Sequence, residues 1–183
     1  PSPGHPMTDL APDAGQHMAR EIPEAPGVFA AAMAQPVALP DLQTLRAIYT
    51  VARGSSDAAA NILSYEIMRE AHLPVTSLPP SIFSLGQGVR LTNCAVLVVS
   101  QSGASDDLVR SARGAKAMGA TVFALTNAPA SPVEAEAEAT IRIGAGPELA
   151  VPATKSVIRP VIGSHRSSCF AARSVAFASL AGR

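Results

Sequence analysis

The stretch Ala-Val-Leu-Val-Val-Ser-Gln-Ser-Gly-Ala-Ser, residues 95–105, decides the fold because it joins an apolar run to a turn of small polar residues. An unbroken apolar run of this length is typical of a strand that is buried on both faces. The glycine and serines then indicate a tight turn, and the pattern of residues 105–118 predicts a helix. A buried strand that leads into a helix is the repeating unit of an α/β fold.

The same unit recurs on both sides of this stretch. We predict strands at residues 47–52, 74–78, 95–99, 121–125 and 140–143, and helices at residues 55–71, 105–118 and 132–137. Nearer the start, Pro23 and Pro26 interrupt an apolar pattern, so a short segment should precede a helix that ends near Ala34. Apolar strands alternating with helices predict a doubly wound α/β domain, a five-stranded parallel sheet with helices on both faces.

Composition limits the possible functions. The chain has 183 residues, 48% of them hydrophobic and 15% charged, which excludes a disordered protein and suits one domain with tails. Only 4% are aromatic and the net charge is zero, so neither a nucleic acid nor an anionic membrane is an implied partner. The sequence shows no membrane span and no signal peptide, so we expect a cytoplasmic protein. We expect no metal, no cofactor and no disulfide between Cys94 and Cys169.

Composition also divides the chain into three parts. Residues 1–18 are rich in proline and glycine and predict a flexible leader. Residues 19–157 contain the predicted domain. Residues 158–183 hold four arginines and no acid, whereas all fourteen acids lie at or before Glu148. We therefore expect an atypical tail that resembles the result of a reading-frame shift near Val157, and we hypothesise a truncated product or a fragment.

Ligands of doubly wound sheets bind beyond the carboxyl ends of the strands. The turn at residues 100–105 carries three hydroxyls and a glycine before a predicted helix, where free N–H groups and the helix dipole favour an anion. It lacks the lysine of a Walker loop and the glycine spacing of a dinucleotide-binding turn, so no nucleotide is predicted. The alternative is an ordinary Ser-Gly turn with an N-cap.

The turn at residues 53–56 repeats this design after the first strand. Gly54 permits close approach of the backbone, and Ser55 or Ser56 offers an N-cap or a ligand contact. Two hydroxyl-rich turns after strands that we expect to be neighbours favour a polar ligand with a phosphate. A third loop, residues 144–156, consists mostly of small residues and would either close over a small ligand or lie solvated.

These motifs resemble those of sugar isomerase (SIS) domains. They are Ala-Arg-Gly-Ser-Ser-Asp at residues 52–57, Ser-Gln-Ser-Gly at 100–103 with Ser105, and Gly-Pro-Glu at 146–148 leading to Ala-Thr-Lys-Ser at 153–156. The Glu-Ile-Pro-Glu-Ala-Pro opening at residues 21–26 is also similar. The resemblance is to the first of two SIS domains in the isomerase half of glutamine–fructose-6-phosphate aminotransferase and to glucosamine-6-phosphate deaminase. It implies flavodoxin-like strand order and a homodimer.

The resemblance also implies a sugar phosphate as the ligand. In the family, serines of the second motif hold the phosphate, the first turn adds a contact to it, and the third loop touches the sugar. Pro152 stands where the family usually has a smaller residue. We therefore predict as substrate-binding residues Gly54, Ser55, Ser56, Ser100, Gln101, Ser102, Ser105, Val151, Pro152 and Thr154.

Catalysis needs more than this set of residues. An aldose–ketose isomerase requires a carboxylate base and a group that opens the sugar ring, and the resemblance places both in the second SIS domain. Glu148 is the only acid near the predicted site, and it resembles a loop contact more than a base. We expect a phosphosugar-binding domain of an isomerase or deaminase of the glucosamine 6-phosphate or fructose 6-phosphate type, incomplete in catalysis alone. The alternatives are a phosphosugar sensor and a dimerisation module that binds nothing.

Overall fold

The computed structural model describes residues 15–34, 44–150 and 156. Its centre is a five-stranded parallel sheet in the order β2-β1-β3-β4-β5. The strands are β1 (Ala47–Val51), β2 (Val75–Ser77), β3 (Cys94–Ser100), β4 (Thr121–Thr126) and β5 (Ala139–Arg142). The predicted parallel sheet and its flavodoxin-like order are confirmed, and every strand end lies within one residue of its predicted position.

The helices connect and flank these strands. They are α1 (Gln16–Glu21), α2 (Ala25–Ala34), α3 (Ser55–Ala71), α4 (Ser81–Ser84), α5 (Asp106–Ala117) and α6 (Pro132–Glu136), with a 3-10 turn (Ile22–Glu24) between α1 and α2. Pro23 lies in that turn and Pro26 in the first turn of α2, where a missing N–H breaks no helical hydrogen bond. Helix α4 was not predicted because four residues are too short to show a helical period.

Helix α1 begins inside the predicted flexible leader. Residues 16–18 are helical, so the leader prediction is wrong for them. The segment Gln16–Glu21 contains neither proline nor glycine, and a glycine at position 15 with a φ of 81° precedes it. The rest of the predicted leader and the predicted tail at residues 158–183 lie outside the described residues.

An apolar layer covers each face of the sheet. The layer beneath α4 and α5 includes Val51, Val96, Val98 and Val122 with Phe83, Leu108 and Ala112. The layer beneath α3 includes Ile48, Leu97, Val99, Phe123 and Leu125 with Ala60. Because side chains alternate between the faces of a strand, β3 contributes to both layers and has no solvent-facing side. Helices α3 and α5, which follow neighbouring strands, therefore pack on opposite faces.

The described residues contain no helix with the length and apolar character needed to cross a membrane. In the same part of the chain, no group of histidine, cysteine and acidic side chains is arranged to hold a metal ion. Cys94 is a free, partly buried thiol that donates to the Thr92 carbonyl over 3.7 Å. Cys169 lies outside the described residues.

Leu108→Ala should destabilise the domain strongly, because Leu108 of α5 is 2% exposed within the apolar layer. The expected loss in the free energy of unfolding is about 2–5 kcal/mol. The matched control is Leu85→Ala, since Leu85 is 86% exposed and its removal should cost less than about 0.5 kcal/mol. Urea denaturation measures both, and equal small losses would contradict the packing of α5 on the sheet.

Candidate functional site

The two hydroxyl-rich turns lie side by side at the carboxyl edge of the sheet. Strands β1 and β3 pair in parallel, with Val51 aligned with Val98, so the turns that follow them leave the same edge together. An ion pair of 2.8 Å between Arg53 Nη1 and Asp107 Oδ2 joins the first turn to the start of α5. The expectation that the two strands are neighbours is confirmed. The predicted residues that this arrangement brings together are Gly54, Ser55, Ser56, Ser100, Gln101, Ser102 and Ser105.

Two serines of the second turn hold the turn in shape. Ser100 is buried, and its Oγ accepts a hydrogen bond of 3.0 Å from the Gly103 N–H. Ser102 is exposed, and its Oγ accepts from the Ala104 N–H over 3.3 Å. A serine hydroxyl that accepts a hydrogen bond still has its own proton to donate. Both hydroxyls can therefore shape the turn and donate to an anion at once.

Gly103 lets this turn pack closely against the start of α6. Its φ is 61°, and a Cβ built there would lie 2.2 Å from Ser131 Oγ and 2.5 Å from Ser131 Cβ. Its carbonyl also accepts a hydrogen bond of 3.0 Å from the Val133 N–H. A side chain at this position would need both a strained backbone and a displaced neighbour.

Helices α3 and α5 both begin at these turns without a side-chain cap. Gly54, which precedes α3, has a φ of 56° and a ψ of −130° and no side chain to offer. Ser105 occupies the N-cap position of α5, yet its hydroxyl makes no capping hydrogen bond. At α6, by contrast, Ser131 accepts from the Glu134 N–H over 3.4 Å. The structure thus does not support the alternative of an ordinary capped turn at Ser105, whose hydroxyl stays free of the helix it begins.

Asn127, at the end of β4, fixes the start of the third loop. Its Oδ1 accepts from the Ala145 N–H over 2.8 Å, and its Nδ2 donates to the Gly146 carbonyl over 2.8 Å. One side-chain amide therefore satisfies a donor and an acceptor of a segment that belongs to no regular element. The loop begins directly beside the end of β4 for this reason.

Glu21 of α1 fixes the same loop further along. This carboxylate is 6% exposed and accepts hydrogen bonds from the Leu149 N–H at 2.6 Å and the Ala150 N–H at 3.3 Å. Charge-assisted hydrogen bonds of this kind offset part of the cost of removing a carboxylate from water. Sequence reasoning missed both Glu21 and Asn127 as loop contacts, although Glu21 opens one of the quoted motifs.

Glu148 forms a contact within the third loop. Its Oε1 accepts from the Ser156 N–H over 3.2 Å, and its Oε2 accepts a short hydrogen bond from the Ser156 hydroxyl. Ser156 is buried. These contacts favour a structural role for Glu148 over that of a base. Val151, Pro152 and Thr154 lie outside the described residues, so their contact with a sugar stays a prediction.

A cavity of about 570 Å³ lies beside Arg53 of the first turn and the start of α5, and none of the predicted serines is among the residues that line it. The segment around α4 contributes Pro80, Ser81, Ser84 and Leu85 to its lining. The first turn of α5 supplies Asp106 and Asp107, and Arg110 follows one turn later. Arg110 Nη2 lies 2.6 Å from Asp106 Oδ2, so the cavity wall carries two cations and two anions in pairs.

Comparison with known proteins identifies the pattern of motifs. The SIS domain model matches residues 41–162. Glutamine–fructose-6-phosphate aminotransferase [isomerizing] of Clostridium acetobutylicum is 33% identical over 135 residues, which are 70% of this chain and 22% of the relative. The enzyme of the same name from Halobacterium salinarum is 35% identical over 66% of this chain and 20% of its own length. The chain thus spans about a fifth of the length of these curated relatives.

Solved structures show the same similarity. A protein of Silicibacter pomeroyi DSS-3 assigned as a phosphosugar isomerase is 37% identical with a TM-score of 0.72, over 90% of this chain and 55% of that chain. The C-terminal domain of glucosamine-fructose-6-phosphate aminotransferase from Francisella tularensis has a TM-score of 0.76 over 94% of this chain and 50% of that one. At 22% identity, the second structure bears on the fold alone.

Gly103→Ala should destabilise the domain by more than about 2 kcal/mol, because the new Cβ would overlap Ser131 and the φ of 61° disfavours alanine. Gly27→Ala is the matched control, since a Cβ at Gly27 in α2 meets nothing within 4 Å. That control should leave stability unchanged or raise it by up to about 1 kcal/mol. Urea unfolding of both variants measures the difference, and an unaffected Gly103→Ala protein would refute the close packing of the turn.

Asn127→Ala should release the start of the third loop, because alanine can neither accept from the Ala145 N–H nor donate to the Gly146 carbonyl. Hydrogen exchange of the Ala145 amide measures the effect, and we expect exchange at least about tenfold faster. The control is Asn61→Ala on α3, where the exposed amide donates to the Asp57 carbonyl within its own helix. Equal protection of Ala145 in wild type and Asn127→Ala would show that the amide does not hold the loop.

Proposed function

Since the chain belongs to the SIS domain family, we propose that it binds a sugar phosphate at the carboxyl edge of β1 and β3. One observation carries this proposal. Two helices, α3 and α5, both begin at this edge, and at neither does an N-cap side chain cap the helix. The positive ends of both helix dipoles and a set of serine hydroxyls thus lie at the same edge of the sheet, which favours an anion there.

The phosphate would be held by neutral donors. In the second turn, exposed Ser102 and Ser105, whose hydroxyl does not cap α5, would donate hydroxyl protons. In the first turn, Ser56 would donate. The phosphate oxygens accept these hydrogen bonds. Buried Ser100 would act mainly by shaping the turn, with its own proton as a further donor, and Gln101 would add its side-chain amide.

The names of the relatives support the class of sugar. The aminotransferases carry fructose 6-phosphate in their name, and the 37% identical structure is assigned as a phosphosugar isomerase. We propose that this chain takes a hexose or hexosamine phosphate of the glucosamine 6-phosphate or fructose 6-phosphate type. The third loop, fixed by Glu21 and Asn127, would supply the contacts to the sugar itself.

Binding, rather than a complete catalytic cycle, is the function that the described residues support. Glu148, the acid candidate from sequence, accepts two hydrogen bonds from Ser156. We propose that it holds the third loop and that a base for isomerisation or deamination comes from another part of the complete enzyme. From the same resemblance we propose that the chain acts in the cytoplasm and as a homodimer.

Ser102→Ala and Ser105→Ala should each weaken binding of glucosamine 6-phosphate by about tenfold or more, since each removes one hydrogen bond to a charged group. Affinity for unphosphorylated glucosamine should not change. Thermal shift with glucosamine 6-phosphate, fructose 6-phosphate, glucosamine and inorganic phosphate measures this, because a ligand that binds only the folded protein stabilises it.

Thr92→Ala serves as the matched control, because it removes an exposed hydroxyl just before β3, at the opposite edge of the sheet. Its affinity for every ligand should equal that of the wild type. An equal loss of phosphosugar and parent sugar in the serine variants would contradict the phosphate role. Wild-type protein that no phosphosugar stabilises would refute the proposed function.

A further inference from the structure

The proposed phosphate site has two carboxylates beside it. Helix α5 begins with Asp106 and Asp107, directly after Ser105. Acids in a first turn stabilise a helix, because they interact with the positive end of its dipole. The same acids would repel a phosphate dianion at Ser105, since like charges at short range raise each other's energy. An anion site at this helix start therefore needs a compensating positive charge.

Each carboxylate has an arginine as its partner. Arg110 Nη2 lies 2.6 Å from Asp106 Oδ2, within the same helix. Arg53 Nη1 lies 2.8 Å from Asp107 Oδ2 and reaches across from the turn after β1. All four side chains line the cavity beside the turns, and their formal charges sum to zero. Arg53, in the turn after β1, thus neutralises part of the negative charge in the first turn of α5.

The two pairs differ in how well water screens them. The Asp106 side chain is 82% exposed, so solvent already weakens its field. The Asp107 side chain is 26% exposed, and its charge acts on the site more strongly. Arg53, at 67% exposed, should contribute little to folding through this pair. Its positive charge should instead raise the affinity of the two turns for an anion.

We propose that Arg53 is a charge-balancing residue of the phosphosugar site, which acts through Asp107 and allows an acidic helix start to accept a phosphate dianion. This role rests on the proposed function. It depends on the Arg53–Asp107 ion pair, which joins the turn after β1 to the first turn of α5. Without the positive charge of Arg53, the remaining side chains of Asp106, Asp107 and Arg110 would carry a net negative charge. The affinity of the two turns for a phosphate would then fall.

The test is calorimetric titration of glucosamine 6-phosphate and glucosamine into the full chain and its variants at low and high salt. Arg53→Gln should weaken the phosphosugar about three- to tenfold at low salt and less at about 0.5 M salt, with glucosamine unaffected. Arg53→Lys should stay near wild type, because it keeps the charge. Arg69→Gln is the matched control, since Arg69 pairs with Glu66 and Glu70 near the end of α3, away from the site.

A second substitution distinguishes charge balance through Asp107 from a direct contact between Arg53 and the phosphate. Asp107→Asn alone should bind the phosphosugar at least as tightly as wild type, and Arg53→Gln with Asp107→Asn should return to within about twofold of wild type. Urea midpoints of Arg53→Gln and wild type should agree.

Three results would overturn the role of Arg53. The first is unchanged phosphosugar affinity in Arg53→Gln while the wild type binds, which refutes this role alone. The second is a double variant as weak as Arg53→Gln, which means that Arg53 acts without Asp107. The third is a wild-type chain that binds no phosphosugar, which refutes the proposed function and this role with it.

Discussion

The parallel pairing of β1 with β3 is the constraint on which the rest of the structure depends. The ladder that aligns Ala47 with Cys94 and Val51 with Val98 sets two turns, separated by more than forty residues of chain, at one edge. A shift of one residue would exchange the buried faces of β1, whose alternate side chains enter different apolar layers. The apolar layers therefore fix the register, and the register fixes the distance between the two turns.

The irregular segments of the site are held by polar side chains, some from the same segment and some from distant parts of the chain. Ser100 shapes its own turn, Asn127 holds residues 145–146, and Glu21 holds residues 149–150. Backbone N–H groups that are removed from water need hydrogen-bond partners, and outside helices and strands these side chains provide them. Residues 145–150 thus obtain hydrogen-bond partners from two distant parts of the chain, although they belong to no helix or strand. This is how a scaffold of regular elements can present a precise surface made of loops.

The sequence predicts what depends on neighbouring residues and misses what depends on distant ones. The apolar runs of β3 and β4 and the length of α3 are local signals, and the bounds predicted from them are confirmed to within a residue or two. The strand order was expected from the resemblance of motifs, and it is confirmed as well. The short α4 carries too few residues for a period. Glu21 meets Leu149 across 128 positions and Arg53 meets Asp107 across 54, and no spacing rule links such pairs. Ser105 stands where an N-cap is expected, and only the structure shows that its hydroxyl does not cap α5.

A site built from neutral donors and balanced charge recognises its ligand differently from a site built from free lysines or arginines. Fixed positive charge attracts every anion, and the attraction falls with distance slowly. Hydroxyl and backbone donors act only at hydrogen-bond distance and in a preferred direction. When Arg53 and Arg110 cancel the two acids of α5, what remains for a phosphate is the helix dipole and the serine geometry. Such a site should select phosphate by shape, and the proposed sugar contacts of the third loop would then distinguish a phosphosugar from phosphate alone.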